Sequence, residues 1–238
     1  PKPLDLWLVH HFEDSELTAC LDAGAQAVRA GLVRHIGICN ATAPQIRRAA
    51  RYLREEHGVG LCAVQNEFGP YALQAAQPRP DAAAASNKMG AIRAAEEVGA
   101  VFMAYAPLGG LGARRGSLPR GGAPEKQCRR LTDDFPEFLT VALQLQSRGP
   151  AQSTSPTAPP AAVEALERSW PPSPHAVCLA WLRQRWPNVL TLTGARTPQH
   201  AAEASASQAL VLTPADMEAI EANARLKRSK KKGWECTS

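Results

Sequence analysis

The sequence has few aromatic residues, few methionines and no long apolar run. Aromatic side chains make up 5% of the 238 residues, and there are three methionines. A membrane-spanning helix needs about 20 consecutive apolar residues, so this sequence predicts none. Apolar residues make up 45% of the chain and charged residues 21%. These proportions are ordinary for a globular domain and exclude a fully disordered chain.

Cysteine pairs with metal-binding spacing are also lacking. The six cysteines lie far apart, at positions 20, 39, 62, 128, 178 and 236. No C-x-x-C motif or cysteine–histidine cluster occurs, so we predict no metal site. Several cysteines lie in apolar runs, as Cys62 does, which predicts buried free thiols in a reducing compartment. We therefore expect a cytoplasmic protein. Location in an organelle remains an alternative, because the chain begins at Pro1 without an initiator Met or a targeting segment.

A strong excess of one charge is absent as well. The 27 Lys and Arg residues against 22 Asp and Glu residues give a formal charge of +5. Much of this excess lies in Lys227–Lys232, within a basic tail at residues 224–238. The run has no interleaved aromatic residue and no amphipathic period, which predicts a solvated terminus. Contact with nucleic acid or a membrane surface is the minor alternative, and we expect neither as a partner.

The common phosphate-binding motifs are missing too, since no predicted strand is followed by G-x-G-x-x-G or G-x-x-x-x-G-K-[ST]. What is present is an alternation of short apolar runs with helical patterns. The runs predict strands at residues 4–9, 33–39, 61–64, 101–105 and 189–192. Their nearly continuous apolar character is typical of parallel strands that are covered on both faces. Polar residues follow directly after these strands, where α/β folds carry their chemistry.

The alternation is interrupted at about residues 112–172. This stretch is rich in Gly, Pro, Ser and Thr, with a modest helical pattern at residues 135–145. Its portion at residues 147–161 has too few apolar residues to form a core, so we predict it to be disordered. The α/β alternation resumes afterwards with helices at Pro174, Thr197 and Thr213. We therefore interpret residues 112–172 as a low-complexity insertion within one domain that covers residues 1–223.

Five sequence segments together resemble the aldo-keto reductase superfamily. They occur in the family's order and spacing at the ends of the predicted strands: Leu8-Val9-His10, Gly31 to Asn40 (G-L-V-R-H-I-G-I-C-N), Gln65-Asn66-Glu67-Phe68, Ala104 to Gly109 (A-Y-A-P-L-G) and Thr193 to Arg196 (T-G-A-R). Each segment alone is weakly specific. The five together are distributed over residues 4–223, and the chain is identified from them as a member of this superfamily.

The resemblance implies a (β/α)8 barrel of the TIM-barrel type that binds an extended nicotinamide cofactor, usually NADP. The first strand of this chain is similar to the family's fourth. We therefore expect an incomplete barrel of about five β/α units, with the first three missing. The family's Asp, Tyr and Lys, which act together with a His, would lie in those units. None of the three tyrosines of this chain matches the proton donor.

The resemblance also implies roles for residues that follow the first four strands. His10 matches the catalytic His, which would orient a substrate carbonyl and assist proton transfer. Asn40 and Gln65 match residues whose amides pair with the nicotinamide carboxamide. Tyr105 matches the position that stacks on the nicotinamide ring. His11 would form a wall of the substrate pocket, and Cys39 replaces the family's usual Ser.

Further matching residues would hold the rest of the cofactor. Gly109, Gly110 and Leu111 resemble the loop that passes over the pyrophosphate, and Pro107 and Leu108 before them also match cofactor-binding positions. Gly194, Ala195 and Arg196 precede a helix start, where backbone amides and the helix dipole favour phosphate. Arg196 would add charge for a 2′-phosphate and so favour NADP over NAD. Near the adenine, His200 stands where the family has Arg or Gln, and Glu203 is retained while the Asn after it is replaced.

Three hypotheses for function follow. The first is an NADP(H)-dependent oxidoreductase that reduces a small-molecule aldehyde or ketone to an alcohol, with this chain inactive by itself. The second is a non-catalytic protein that binds NADP or a partner on a degenerate scaffold. The third is a degenerate product with no activity. The oligomeric state and the identity of the substrate stay open.

Overall fold

A single parallel sheet organises the protein. The computed structural model describes residues 2–73, 75, 90–109, 131–223 and 226. Its five strands are β1 (Leu4–Val9), β2 (Val33–Cys39), β3 (Leu61–Glu67), β4 (Val101–Tyr105) and β5 (Val189–Leu192). They lie side by side in chain order, and all neighbouring pairs are parallel. All five predicted strands are confirmed, and β3 extends three residues further, to Glu67.

The register of the sheet brings the carboxyl ends of the strands to one edge. Val9 lies opposite Ile38, and Cys39 lies opposite Gln65. Glu67 lies opposite Tyr105, and Tyr105 lies opposite Leu192. The residues that follow each strand are therefore neighbours in space.

Nine helices occur in the described ranges. They are α1 (Leu17–Arg29), α2 (Ala43–His57), α3 (Ala91–Glu97), α4 (Leu131–Asp134), α5 (Glu137–Arg148), α6 (Pro160–Arg168), α7 (Pro174–Arg185), α8 (Pro198–Ala206) and α9 (Pro214–Glu221). Three of these starts are predictable from local chemistry. Ser173, Thr197 and Thr213 each precede a proline at the first helical position and accept a hydrogen bond from a backbone N–H of the first turn. These helices begin where the sequence predicts them.

The largest buried side chains form an aromatic cluster that joins the sheet to the later helices. Phe102 on β4 and Trp186 after α7 both pack edge-on against Phe68. Trp181 on α7 packs against Trp186 and against Phe138 on α5. Helices α5 and α7 are thereby fixed to the sheet, although the strands β4 and β5 that flank them are far apart in sequence.

The prediction of disorder for the insertion is wrong where the structure describes it. Residues 131–172 contain α4, α5 and α6. Ser153, in the stretch predicted to be disordered, is fully buried. The backbone of this stretch pairs with the segment before α9: Val211 donates its N–H to the Ser153 carbonyl, and Ser155 donates to the Ala209 carbonyl. Backbone pairing with a distant segment contributes to the order of these residues, and Ala158 also packs against the hydrophobic core. Residues 112–130 lie outside the described ranges.

One other expectation concerns residues that are mostly outside the described ranges. The basic tail at residues 224–238 lies outside them, apart from Leu226, which is buried. Among the described residues no helix is long and apolar enough to cross a membrane.

Candidate active site

His10 directly follows β1 at the carboxyl edge of the sheet. Its side chain is exposed, and its ring lies 4.1 Å, between centroids, from the ring of His11, which is exposed as well. The carbonyl oxygen of His10 accepts a hydrogen bond from Nδ2 of Asn40 at 3.3 Å. The end of β1 is therefore attached to the end of β2 through the Asn40 side chain.

Asn40 is the central residue of this edge. Its φ is +57°, a left-handed conformation that Asn tolerates better than most residues. Its Oδ1 accepts a hydrogen bond from the Tyr105 hydroxyl at 2.9 Å. The structure thus brings His10, Asn40 and Tyr105 together, three of the residues that the sequence selects.

A buried asparagine that the sequence analysis overlooked supports Asn40. Asn66 on β3 is fully buried. Its Nδ2 donates to the Ala41 carbonyl at 2.8 Å, and its Oδ1 accepts from the Ala41 N–H at 3.0 Å. The two bonds fix the backbone directly after Asn40. The signal was present in the sequence, because a polar side chain within a buried strand requires hydrogen-bond partners.

Gln65, the residue before Asn66, points to the other face of β3. Its carbonyl accepts the Asn40 N–H at 2.8 Å, and its side chain is half-buried. Among the described residues nothing hydrogen-bonds the Gln65 side-chain amide. That amide is consequently available to a ligand at the carboxyl edge.

The loop after β4 is folded tightly against the loop after β3. Ala106 has a φ of +53°, and the Gly109 N–H donates to its carbonyl at 2.9 Å. Pro107 approaches Gly69 so closely that a β-carbon on Gly69 would overlap the Pro107 carbonyl oxygen. Pro107 and Gly109 are buried, while Leu108 is half-buried and shares a cavity with residues after β5 and residues of α8. Gly110 and Leu111 lie outside the described ranges.

Leu108 forms one wall of a cavity of about 350 Å³ between the loop after β4 and the start of α8. Five residues selected from the sequence line it: Leu108, Gly194, Arg196, His200 and Glu203. Ala195 does not, because it faces a separate groove beside β5. His175 and Leu179 of α7 also line the cavity, and the sequence analysis missed both.

The cavity combines the positive charge of Arg196 with the negative charge of Glu203 and with the start of α8. Arg196, His175 and His200 are exposed, and no described residue forms an ion pair with Arg196. The carboxylate of Glu203 is engaged, since it accepts the Ser173 hydroxyl at 2.7 Å and the Gln199 amide at 3.1 Å. The N-terminus of α8 adds backbone N–H groups and its dipole.

Comparison with known proteins identifies the family of the chain. The sequence model described as "Aldo/keto reductase family" matches residues 2–225. The chain therefore belongs to the aldo/keto reductase family, as the five segments predict.

Two curated relatives are similar to the chain over most of its length. The aldo-keto reductase str7 of Strobilurus tenacellus is 24% identical over 224 residues, which are 91% of this chain and 56% of the relative. The aldo-keto reductase yakc [NADP(+)] of Schizosaccharomyces pombe is 26% identical over 206 residues, which are 84% of this chain and 51% of the relative. The chain thus spans about half the length of the curated relatives it matches.

Solved structures share the fold. A thermostable aldo-keto reductase, Tm1743, in complex with the inhibitor epalrestat aligns with a TM-score of 0.59 at 19% identity, covering 94% of this chain and 61% of that one. A protein described as a 2,5-diketo-D-gluconic acid reductase B aligns with a TM-score of 0.54 at 20% identity, covering 92% and 56%. Together with the parallel sheet, these alignments are consistent with a TIM-barrel-like fold.

The family match begins at residue 2 and extends over nearly the whole chain. It gives no support to the expectation that the first three β/α units are missing, or that the chain is a fragment.

Proposed function

We propose that this chain acts in the NADP(H)-dependent reduction of an aldehyde or ketone to an alcohol. The observation that carries the proposal is the hydrogen-bonded connection from Tyr105 through Asn40 to the backbone of His10. It holds a histidine, an amide and an aromatic ring at the carboxyl edge of the sheet in a chain of the aldo/keto reductase family. The yakc relative, whose name includes NADP(+), supports the choice of cofactor.

The residues present fit a nicotinamide dinucleotide. The unengaged amide of Gln65 suits a carboxamide, and the half-buried Tyr105 beside Asn40 offers an aromatic face. The cavity at Arg196 and the N-terminus of α8 suits a phosphate. When bound, such a cofactor supplies the hydride, and its position beside Asn40 would place it next to His10.

In this proposal His10 orients the substrate carbonyl and assists transfer of a proton to its oxygen. A developing alkoxide needs a positioned donor to be stabilised. Within the described ranges no tyrosine or lysine side chain hydrogen-bonds His10. Tyr52 instead donates to Asp22 and Tyr105 to Asn40. We therefore propose that the 238-residue chain by itself reduces carbonyls poorly.

Quenching of NADPH fluorescence by the purified chain tests the cofactor step. We expect NADPH to bind more tightly than NADH, since a charge-assisted hydrogen bond to the 2′-phosphate contributes about 1.5–3 kcal/mol, or roughly 10- to 150-fold. The Arg196→Ala variant should lose most of that preference. Arg54→Ala, an exposed arginine on α2, is the matched control and should keep it. Equal affinities for the two cofactors in the wild-type chain would overturn the assignment.

A second candidate function is a non-catalytic NADP-binding protein, which the lack of a described proton donor at His10 favours. Turnover of a reactive aldehyde with NADPH separates the two. Turnover that is slow but measurable, and that is lost in His10→Ala, supports the reductase. NADPH binding without turnover supports the binding protein, and absence of both would contradict each of them.

A further inference from the structure

The cavity at Arg196 has a second wall, on α7, to which the sequence assigns no role. His175 and Leu179 lie one turn apart on the same face of α7, and both line the cavity. The other wall holds Arg196 before α8, and His200 and Glu203 on α8. His175 is therefore the one titratable side chain that the described part of α7 contributes to this lining. A ligand held by Arg196 between the two walls has His175 on its other side.

The start of α7 is attached to α8 by its own capping residue. The Ser173 hydroxyl accepts the Ala176 N–H at 3.2 Å and donates to Oε2 of Glu203 at 2.7 Å. His175 lies between Ser173 and Ala176, so its backbone is held beside the cavity. Its imidazole is exposed, and no hydrogen bond or ion pair within the described ranges engages it. The imidazole is therefore free to contact a ligand.

The charge of the lining depends on its two histidines. Arg196 is its one permanent cation, and Glu203 is its one carboxylate among the described residues. The Glu203 oxygens accept hydrogen bonds from the Ser173 hydroxyl and the Gln199 amide. These donors are neutral, so Glu203 keeps its charge and offsets that of Arg196. Histidine is the side chain that ordinarily changes charge between about pH 5 and 8. The lining consequently becomes more positive as the pH falls through that range.

We propose that His175 is a second contact to the 2′-phosphate of the cofactor, opposite Arg196, and that it makes the preference for NADPH over NADH increase as the pH falls. The inference rests on the proposed function, which assigns that phosphate to this cavity. Arg196 stays charged throughout and contributes a constant preference. His175 adds to it when protonated, because a charge-assisted hydrogen bond to phosphate is stronger than a neutral one. NADH lacks the 2′-phosphate, so pH effects elsewhere in the site act on both cofactors and cancel in the comparison.

Dissociation constants for NADPH and NADH at pH 8.0 and at pH 6.5 test the proposal, measured by quenching of cofactor fluorescence by the purified chain. A phosphate monoester loses its second proton near pH 6, so the phosphate is mainly a dianion at both values. For the wild-type chain, the ratio of the NADH constant to the NADPH constant should rise at least about threefold at the lower pH. His175→Gln keeps a polar side chain without a charge, and its ratio should be the same at both pH values. His175→Arg carries a permanent charge and should have a high ratio at both.

Two further variants separate His175 from the other histidines. His200→Gln and His35→Gln, the latter on β2 outside the cavity, should both keep the wild-type dependence on pH. All three positions are exposed, and near-ultraviolet circular dichroism checks that the variants fold.

The outcomes distinguish this inference from the proposed function. A preference for NADPH that does not change with pH would overturn the role of His175 and leave the proposed function intact. The same holds for an increase that persists in His175→Gln or disappears in His200→Gln. Equal affinities for the two cofactors at both pH values, or binding of neither, would contradict the proposed cofactor and the role of His175 together.

Discussion

The two parts of the described chain are held together by different interactions. Residues 2–109 contain four of the five strands, each directly paired with the next. Their arginine–carboxylate pairs, such as Arg34–Asp5, Arg47–Glu97 and Arg48–Asp14, have side chains that are at least 40% exposed. Residues 131–223 contain a single strand. Their helices are joined by the aromatic cluster and by ion pairs in which Asp216 and Glu221 are only 3% and 8% exposed.

This difference explains where sequence reasoning succeeds. Backbone pairing between consecutive apolar runs leaves a local signal, whereas contacts between distant helices depend on side chains that no local pattern identifies. The same difference determines how much each part contributes to the free energy of unfolding. Exposed ion pairs contribute little to it, whereas buried side chains contribute much.

The largest loss of stability is expected on substitution of Trp181. Its ring is fully buried between Phe138 and Trp186, so Trp181→Ala leaves a cavity where the helices meet the sheet. We expect the free energy of unfolding to fall by about 3–5 kcal/mol, measured by urea denaturation. Leu143→Ala, which removes an exposed leucine of α5, should change it by less than about 0.5 kcal/mol. Similar losses in both variants would contradict a difference in burial as the cause.

The next-largest loss of stability is expected at the partly buried ion pair of Arg148 with Asp216. Arg148 donates two hydrogen bonds to Asp216, at 2.8 and 2.6 Å. Arg148→Met leaves the buried carboxylate without its charged partner and should cost about 3 kcal/mol. Arg48→Met, which breaks the exposed pair with Asp14, should cost at most about 1 kcal/mol. The two losses, compared at low and at high salt, should differ further, since salt screens the exposed pair more.

The pH dependence of stability should also originate in part from Asp216. Burial by itself raises the pKa of this carboxyl, but the hydrogen bonds from Arg148 and Thr213 outweigh it and hold the pKa below its ordinary value. The folded state therefore binds protons less readily than the unfolded state. The stabilisation is present above the ordinary Asp pKa of about 3.9 and is lost as the pH falls through the folded value. Unfolding measured from pH 6 downward should show a shallower acid loss for Asp216→Asn than for the wild type.

The smallest effect is expected between α1 and α2. The Tyr52 hydroxyl donates to Asp22 at 2.8 Å, and His57 lies 2.7 Å from the same oxygen. The Tyr52 hydrogen bond is the main cause of the lowered pKa of Asp22, ahead of that from His57. Tyr52→Phe should raise this pKa toward the ordinary value, as followed by NMR titration of the carboxyl carbon. Tyr71→Phe is the control, and an equal shift there would rule out the direct hydrogen bond as the cause.

Particular residues show what the sequence can and cannot predict. Val33–Cys39, Val101–Tyr105 and Val189–Leu192 are short apolar runs between turn residues, and they form strands with the predicted bounds. Residues 147–161 were predicted to be disordered from composition alone. Their order depends on pairing with residues 209–211, about 60 positions away in the sequence, which composition does not reveal.

The candidate site shows the same contrast between features that local sequence patterns predict and features that depend on the folded structure. The motif match places Asn40 directly after β2 and Tyr105 at the end of β4, and the sheet register brings them together. The hydrogen bond between their side chains, and the two bonds by which Asn66 holds Ala41, depend on conformations that only the folded backbone defines. His175 shares a cavity with Arg196 through the packing of α7 beside α8, a contact that spacing along the chain does not encode.

The close approach of Gly69 to Pro107 has a consequence for motion. Since no space separates the two backbones, and the Phe68 N–H also donates to the Tyr105 carbonyl, the loops after β3 and β4 form one mechanical unit. A ligand that displaces Leu108 from the cavity moves the loop after β4, and the loop after β3 then has to move with it.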